Sequence, residues 1–165
     1  MNQSVNASAM PASKAAAERH ERAAVRLTQQ FFLRQAELLT DITGGDLLLG
    51  VVFIAITTAN TSHLTEAAVA EFAELDDVPP DELRRPISVL ALSESLRLPY
   101  ETTRRYVGRL EEDGLVVRVG RAGVIVPRSA IERPATVERV QRSFTHVHRL
   151  VAGLRRIGVD VDAMR

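Results

Sequence analysis

Arg104, Arg105 and Arg109 stand close together in the stretch YETTRRYVGRLEEDG, just behind Tyr100, Glu101 and Thr102. Arg118 and Arg121 follow within a Val-rich ribbon. A guanidinium holds its N–H donors in one plane, so it meets two adjacent acceptors at once: a pair of phosphate or carboxylate oxygens, or O6 and N7 of a guanine. The hydroxyls of Tyr100 and Thr102 suit phosphate oxygens, where a contact fixes register and reads no base. Glu101 accepts a hydrogen bond where the arginines donate, as from cytosine N4, or repels a wrongly docked anion. The plainer reading is that these arginines pair with Glu101, Glu111, Glu112 and Asp113 on a solvated surface, at about 0–1 kcal/mol per exposed pair.

Other chemistries find no comparable grouping. The chain has no cysteine, which removes disulfides, thiol nucleophiles and thiolate metal sites and fits a reducing cytoplasm. The histidines are His20, His63, His146 and His148. The last two, as HVH on a helix, point roughly 160° apart and cannot share a metal, so His148 is expected to border a packed stripe. Ser93, Ser95 and Ser143 lack a nucleophile elbow or an adjacent base, and Gly44-Gly45 lacks the Lys and Ser/Thr that complete a phosphate loop. The acidic run from Glu66 to Glu82 does not alternate oxygen ligands around a turn glycine, as a calcium loop does. No catalytic residue, metal or cofactor is therefore expected.

The elements that must hold the arginines follow from caps and periodicity. In 165 residues at 45% hydrophobic content there is enough apolar surface for one domain with a real core. Residues 1–12 read as a mobile tail, and residues 13–83 as a helical support and dimerisation region. A long helix over about 13–43 ends at Gly44-Gly45. Its Ala24, Val25, Phe31, Phe32, Ala36, Leu38, Leu39 and Ile42 span a broad arc, which suits either burial in a monomer or packing on its own domain and a second subunit. Asp46 caps a second helix over about 47–63, apolar nearly all round and so central. Its run LLLGVVFIAI is too short to span a bilayer, and no signal peptide opens the chain, so a soluble, cytoplasmic protein is expected. The acidic segment TEAAVAEFAELDD should be helical, followed by a helical turn at 81–85. A C-terminal region, 129–165, carries a helix over about 134–157 with Val137, Val140, Phe144, Val147, Val151 and Leu154 as its stripe.

Between these lies residues 84–128. The formal net charge of the chain is zero, yet Glu66 to Glu82 holds seven acids and no base, whereas Arg84 to Arg128 holds nine arginines against five acids. Such segregation marks a polyanion-facing half or a solvated basic face. Ser88 caps a short helix bearing Val89, Leu92 and Leu96, and Leu98-Pro99 makes a tight connection. The next helix, about 100–113, buries Thr103, Val107 and Leu110 and turns Glu101, Arg105, Gly108, Arg109 and Glu112 outward. Gly114 suits a left-handed stop, and Leu115, Val117, Val119, Val124 and Val126 alternate around GRAG as a hairpin over 117–126 with Arg121 at its tip.

Two short helices, a sharp turn and a basic-tipped hairpin, carried by Ser88, Leu92, Leu96, LRLP, Thr102, Arg104, Arg105, Leu110 and EEDGLVVR, resemble the bacterial winged helix-turn-helix regulators of the broad MarR, IclR and GntR type. The resemblance covers about a quarter of the chain. It implies a mainly α fold with a small β-hairpin wing and long N- and C-terminal helices. It also implies a homodimeric transcriptional regulator binding double-stranded DNA, with or without a small-molecule effector, through Tyr100, Glu101, Thr102, Arg104, Arg105, Arg109, Arg118 and Arg121. The alternative is a winged helix reused as a protein-interaction module. Thr103 departs from the aliphatic residue of the pattern. Gly108 lies mid-helix, where it admits either a phosphate or base edge or a neighbouring helix.

Overall fold

The computed structural model describes residues 12–65, 70, 72 and 78–160. The expected tail through residue 11 and the expected acidic helix over 66–77, Ala70 and Phe72 aside, lie outside the described residues. The chain is mainly helical with one small antiparallel hairpin. Its helices are α1 (Ala12–Ile42), α2 (Leu47–Thr61), α3 (Val89–Leu96), α4 (Tyr100–Glu112), α5 (Arg128–Ile131) and α6 (Pro134–Arg156). The strands are β1 (Val117–Val119) and β2 (Gly123–Ile125), and a 3-10 turn spans Asp81–Leu83. Two compact units result: residues 36–143, and the chain up to 35 with the chain from 144 onward.

In the 36–143 unit α2 is the central helix. Leu49, Val52, Phe53 and Ile56 are buried with Val89 and Leu92 of α3, Val107 and Leu110 of α4, and Val124 and Val126 at the hairpin. Each such side chain contributes about 1.5–3 kcal/mol on burial. Burial of α2 is not complete, because Leu47 and Ile54 stay exposed. Helix α1 comes so near at Leu39 that a Cβ on Gly50 would lie 2.8 Å from the Leu39 Cβ.

Local signals set the helix ends. Ser88 Oγ accepts from the Ala91 N–H at 3.1 Å to start α3. Gly114, at φ +63°, ends α4 in a Schellman motif: the Leu115 N–H reaches Leu110 O at 2.8 Å and the Gly114 N–H reaches Glu111 O at 3.0 Å. The corner between α3 and α4 is made by Arg97, at φ +54°. A β-carbon in that left-handed basin costs about 1–2 kcal/mol.

The hairpin pairs Val117 with Ile125, Arg118 with Val124 and Val119 with Gly123. Ile87 bridges Val124 on the other side of β2. With pairing on both sides β2 is buried throughout, and β1 is left as the edge strand. On that edge Val117 and Val119 are both exposed, and just before it Leu115 and Val116 enter the core. Gly123 has no substitute here, since its φ is +134° and a Cβ would sit 2.2 Å from the Ile87 carbonyl oxygen.

Arg84, counted in the basic excess, turns inward. Its guanidinium donates to Pro79 O at 2.9 Å and pairs with Asp81 at 3.2 Å, and burial pulls its pKa down from the usual arginine range.

In the other unit α1 and α6 run antiparallel. A Cβ on Gly153 would fall 3.0 Å from the Leu27 side chain, so the helices nearly touch there. On the part of α6 in this unit His146 and Gly153 are buried, and Leu150, Val151, Leu154 and Ile157 are half-buried. The expected stripe is corrected in part: Val137, Val151 and Leu154 are half-buried, whereas Val140, Phe144 and Val147 are exposed. His148 also lies outside, its ring edge-on to Phe144 at 4.5 Å, while His146 is the buried histidine.

Asn60 ties the 36–143 unit together. It is fully buried, donates to Arg85 O at 2.7 Å and Val124 O at 3.2 Å, and accepts from the Val126 N–H at 2.9 Å. Asn60→Ala leaves Arg85 O and the Val126 N–H without that partner, while Val124 O keeps the Ile87 N–H at 3.1 Å, and about 2–3 kcal/mol of stability is expected to go with it. Urea unfolding should show a lower midpoint at unchanged slope, and a midpoint shift under about 0.5 kcal/mol equivalent would contradict this role.

Candidate nucleic-acid interface

Helix α4 owes its orientation to three inward residues, Thr103, Val107 and Leu110, all fully buried. Thr103 fits a position the pattern gives to aliphatic residues because its hydroxyl donates to Pro99 O at 3.2 Å, so no polar atom is left wanting. With that face committed to the core, Glu101, Thr102, Arg104, Arg105, Gly108, Arg109 and Glu112 surround an open concavity of about 480 Å³ on the other. The sequence-derived site residues of α4 therefore come together on one side of a single helix. Tyr100 begins that helix and is 47% exposed.

The arginines differ in what they hold. Arg104 pairs with Glu101 at 2.9 Å, both well exposed. Arg109 donates to Asp46 Oδ2 at 2.6 Å, reaching from α4 to the start of α2. Arg118 on β1 forms a two-pronged pair with Glu111 of α4, at 2.9 and 3.0 Å. Arg105 and Arg121 are exposed and make no ion pair among the described residues. Arg121 sits at the hairpin turn beside Gly120, whose φ of +51° and the 3.0 Å bond from the Ala122 N–H to Val119 O shape the tip. The solvated-pair arrangement thus accounts for Arg104 and Arg118 in the free chain, and leaves Arg105 and Arg121 as the uncommitted donors.

Two contributors were not singled out from the sequence. Tyr106 lies half-buried at the base of α4, with the guanidinium carbons of Arg105 and Arg109 at 5.6 and 5.8 Å from its ring centre. Cation–π attraction of that kind orients both side chains without neutralising either. Its adjacency to Arg105 and its spacing of three from Arg109 are the signals that could have exposed it. Asp46 was read only as a helix cap, and it is one: Oδ1 accepts from the Leu49 N–H at 3.1 Å. Its second oxygen takes Arg109, a partner 63 residues away that no local pattern announces.

A second concavity, about 560 Å³, is lined in part by Arg109, Arg133 and Arg139. Its guanidiniums serve the fold: Arg133 donates to Gly114 O at 2.7 Å and Arg139 to Asp41 O at 3.0 Å, closing the C-terminal ends of α4 and α1. Among the described residues no group of three or more metal-ligating side chains occurs, and no single helix is long and apolar enough to cross a membrane.

The Leu49 N–H and then the Arg109 guanidinium hold the Asp46 carboxyl below its ordinary value of 3.8. Asp46→Ala removes cap and clamp together and is expected to cost about 1–2 kcal/mol at neutral pH. A lowered folded pKa means the contribution is present above the unfolded value and disappears as pH falls through the folded one. Urea unfolding of both proteins should therefore show a gap that is constant from pH 7 to about 5 and closes below about 4. No family model matches the chain, and neither a curated relative nor a solved structure matches it.

Proposed function

We propose that this chain is a sequence-specific, double-stranded DNA-binding transcriptional regulator of winged helix-turn-helix build, working as a homodimer. The observation that carries the reading is α4 itself: one face is sealed in the core, and the opposite face offers Arg105 with no carboxylate of its own. A helix of this size enters the B-form major groove, where Arg105 would take O6 and N7 of one guanine in a planar fork. Tyr100, Thr102 and the first N–H groups of α4 would meet phosphates and set register. Arg121 at the hairpin tip would reach the adjacent minor groove or its phosphates. Arg104 would exchange an exposed carboxylate for phosphate, a trade of about 0–1 kcal/mol on the protein side, and Arg118 would exchange the half-buried Glu111.

Dimerisation rests on the α1–α6 unit. Val25, Phe32 and Leu33 of α1 and Phe144 and Val147 of α6 are each 40–66% exposed, an unusual load of large apolar side chains for a solvated helix pair. A second copy would cover them and present two reading helices to adjacent half-sites. Sedimentation should then give a dimer at micromolar concentration, and a monomer with and without DNA would remove this part of the proposal.

The protein-interaction module stays as a second reading, favoured by one observation: Arg104, Arg109 and Arg118 are already engaged by carboxylates. Fluorescence polarisation on a random-sequence duplex separates the two. The regulator binds at low salt and loses affinity steeply as salt rises, whereas a module shows no binding at any salt. Arg105→Ala should weaken a selected site by about 1–3 kcal/mol and relax preference at one base pair, and Arg121→Ala should weaken all sequences evenly and flatten the salt slope.

A further inference from the structure

The chain has nine glycines, all within the described residues. Six of them, Gly44, Gly45, Gly114, Gly120, Gly123 and Gly158, have a φ in the left-handed region that favours glycine. Gly50 and Gly153 lie against another helix, where a Cβ would come within 2.8 and 3.0 Å of a leucine side chain. Gly108 alone has neither reason. Its backbone is ordinary helix, and a Cβ built on it meets nothing within 4 Å. Glycine in a helix interior is costly relative to alanine through backbone entropy, and no contact among the described residues offsets that here.

Its position says what would. Gly108 forms the floor of the 480 Å³ concavity on α4, flanked by Arg104, Arg105, Arg109, Glu101 and Glu112. We infer that Gly108 is the point of closest approach on α4, where the sugar-phosphate backbone or a base edge of duplex DNA seats directly on the helix backbone. A methyl group at this point would hold the helix off and lengthen the hydrogen bonds of the flanking arginines together. The walls favour nucleic acid over a crossing helix: every side chain around the notch is charged or polar, whereas a helix packed on a glycine needs apolar flanks to bury. The inference deepens the DNA-binding reading and rests on it.

Gly108→Ala in the full chain tests it, with two measurements that must move in opposite directions. The melting temperature should rise by about 2–4 °C, as expected for a helix-interior glycine replaced in a chain of this size. The Kd for a duplex recovered by selection with the wild-type protein from a random library should weaken at least about tenfold, the scale of one lost or misplaced arginine–base contact. Gly108→Ser, whose Cβ meets the same open space, should weaken binding likewise. A variant that melts higher and binds that duplex within about twofold of wild type would overturn the inference while leaving the DNA-binding reading intact. Altered self-association in sedimentation with unchanged DNA affinity would assign the notch to a protein neighbour and overturn it as well. Failure of the wild type to recover any duplex would remove the DNA-binding reading itself, and this inference with it.

Discussion

The 36–143 unit turns on one buried amide. Asn60, at the last full turn of α2, is the place where the central helix, the segment entering α3 and the inner strand of the hairpin are fastened to each other. Its main-chain carbonyl adds a fourth bond, from the Arg85 N–H at 3.0 Å. Hydrophobic packing alone would leave these three pieces free to slide, because apolar contacts are not directional. A carboxamide with both donor and acceptor satisfied in a dry site specifies one arrangement, since any displacement strands several polar groups at once. The hairpin is short, with strands of three residues each, and could not hold its place by its own ladder. The position of Arg121 therefore descends from an asparagine that is itself fully buried.

Electrostatic pairing then sorts the arginines into three groups. Arg84, Arg133 and Arg139 are spent on carbonyls and one carboxylate of the fold, and Arg84 has left the surface altogether. Arg104, Arg109 and Arg118 are held by single carboxylates that an incoming anion could displace. Arg105 is steered by Tyr106 instead, which keeps its charge available. A formal net charge of zero for the chain is compatible with a locally positive face, where Arg104, Arg105 and Arg109 stand against Glu101 and Glu112.

Much of this was legible before any coordinates. The extents of α3 and α4, the cap at Ser88, the stop at Gly114 and the buried trio of Thr103, Val107 and Leu110 all depend on interactions within a few residues, and local spacing encodes those. The hairpin was legible from its glycines, though not which strand would be the edge, since that depends on Ile87 arriving from outside it. Asn60 and the Asp46–Arg109 clamp were invisible because their partners lie 25 to 66 residues away. The inward face of α6 was misread for a different reason. Apolar spacing alone does not show that the two helices nearly touch at Gly153, where His146 and Gly153 turn inward and Phe144 and Val147 outward. The DNA-contacting roles were legible only as chemistry, as planar donors spaced along one helix.

The corner at Arg97 carries a consequence of its own. A glycine would occupy the left-handed basin without penalty, but it would also open many other basins to the joint between α3 and α4. The arginine raises the energy of the bent form and, because its β-carbon forbids most alternatives, narrows the range of angles the two helices can explore. A joint of that kind behaves as a stiff bracket. Whatever docks on α4 meets a part whose disorder was already surrendered during folding, so less entropy is left to be lost at the encounter.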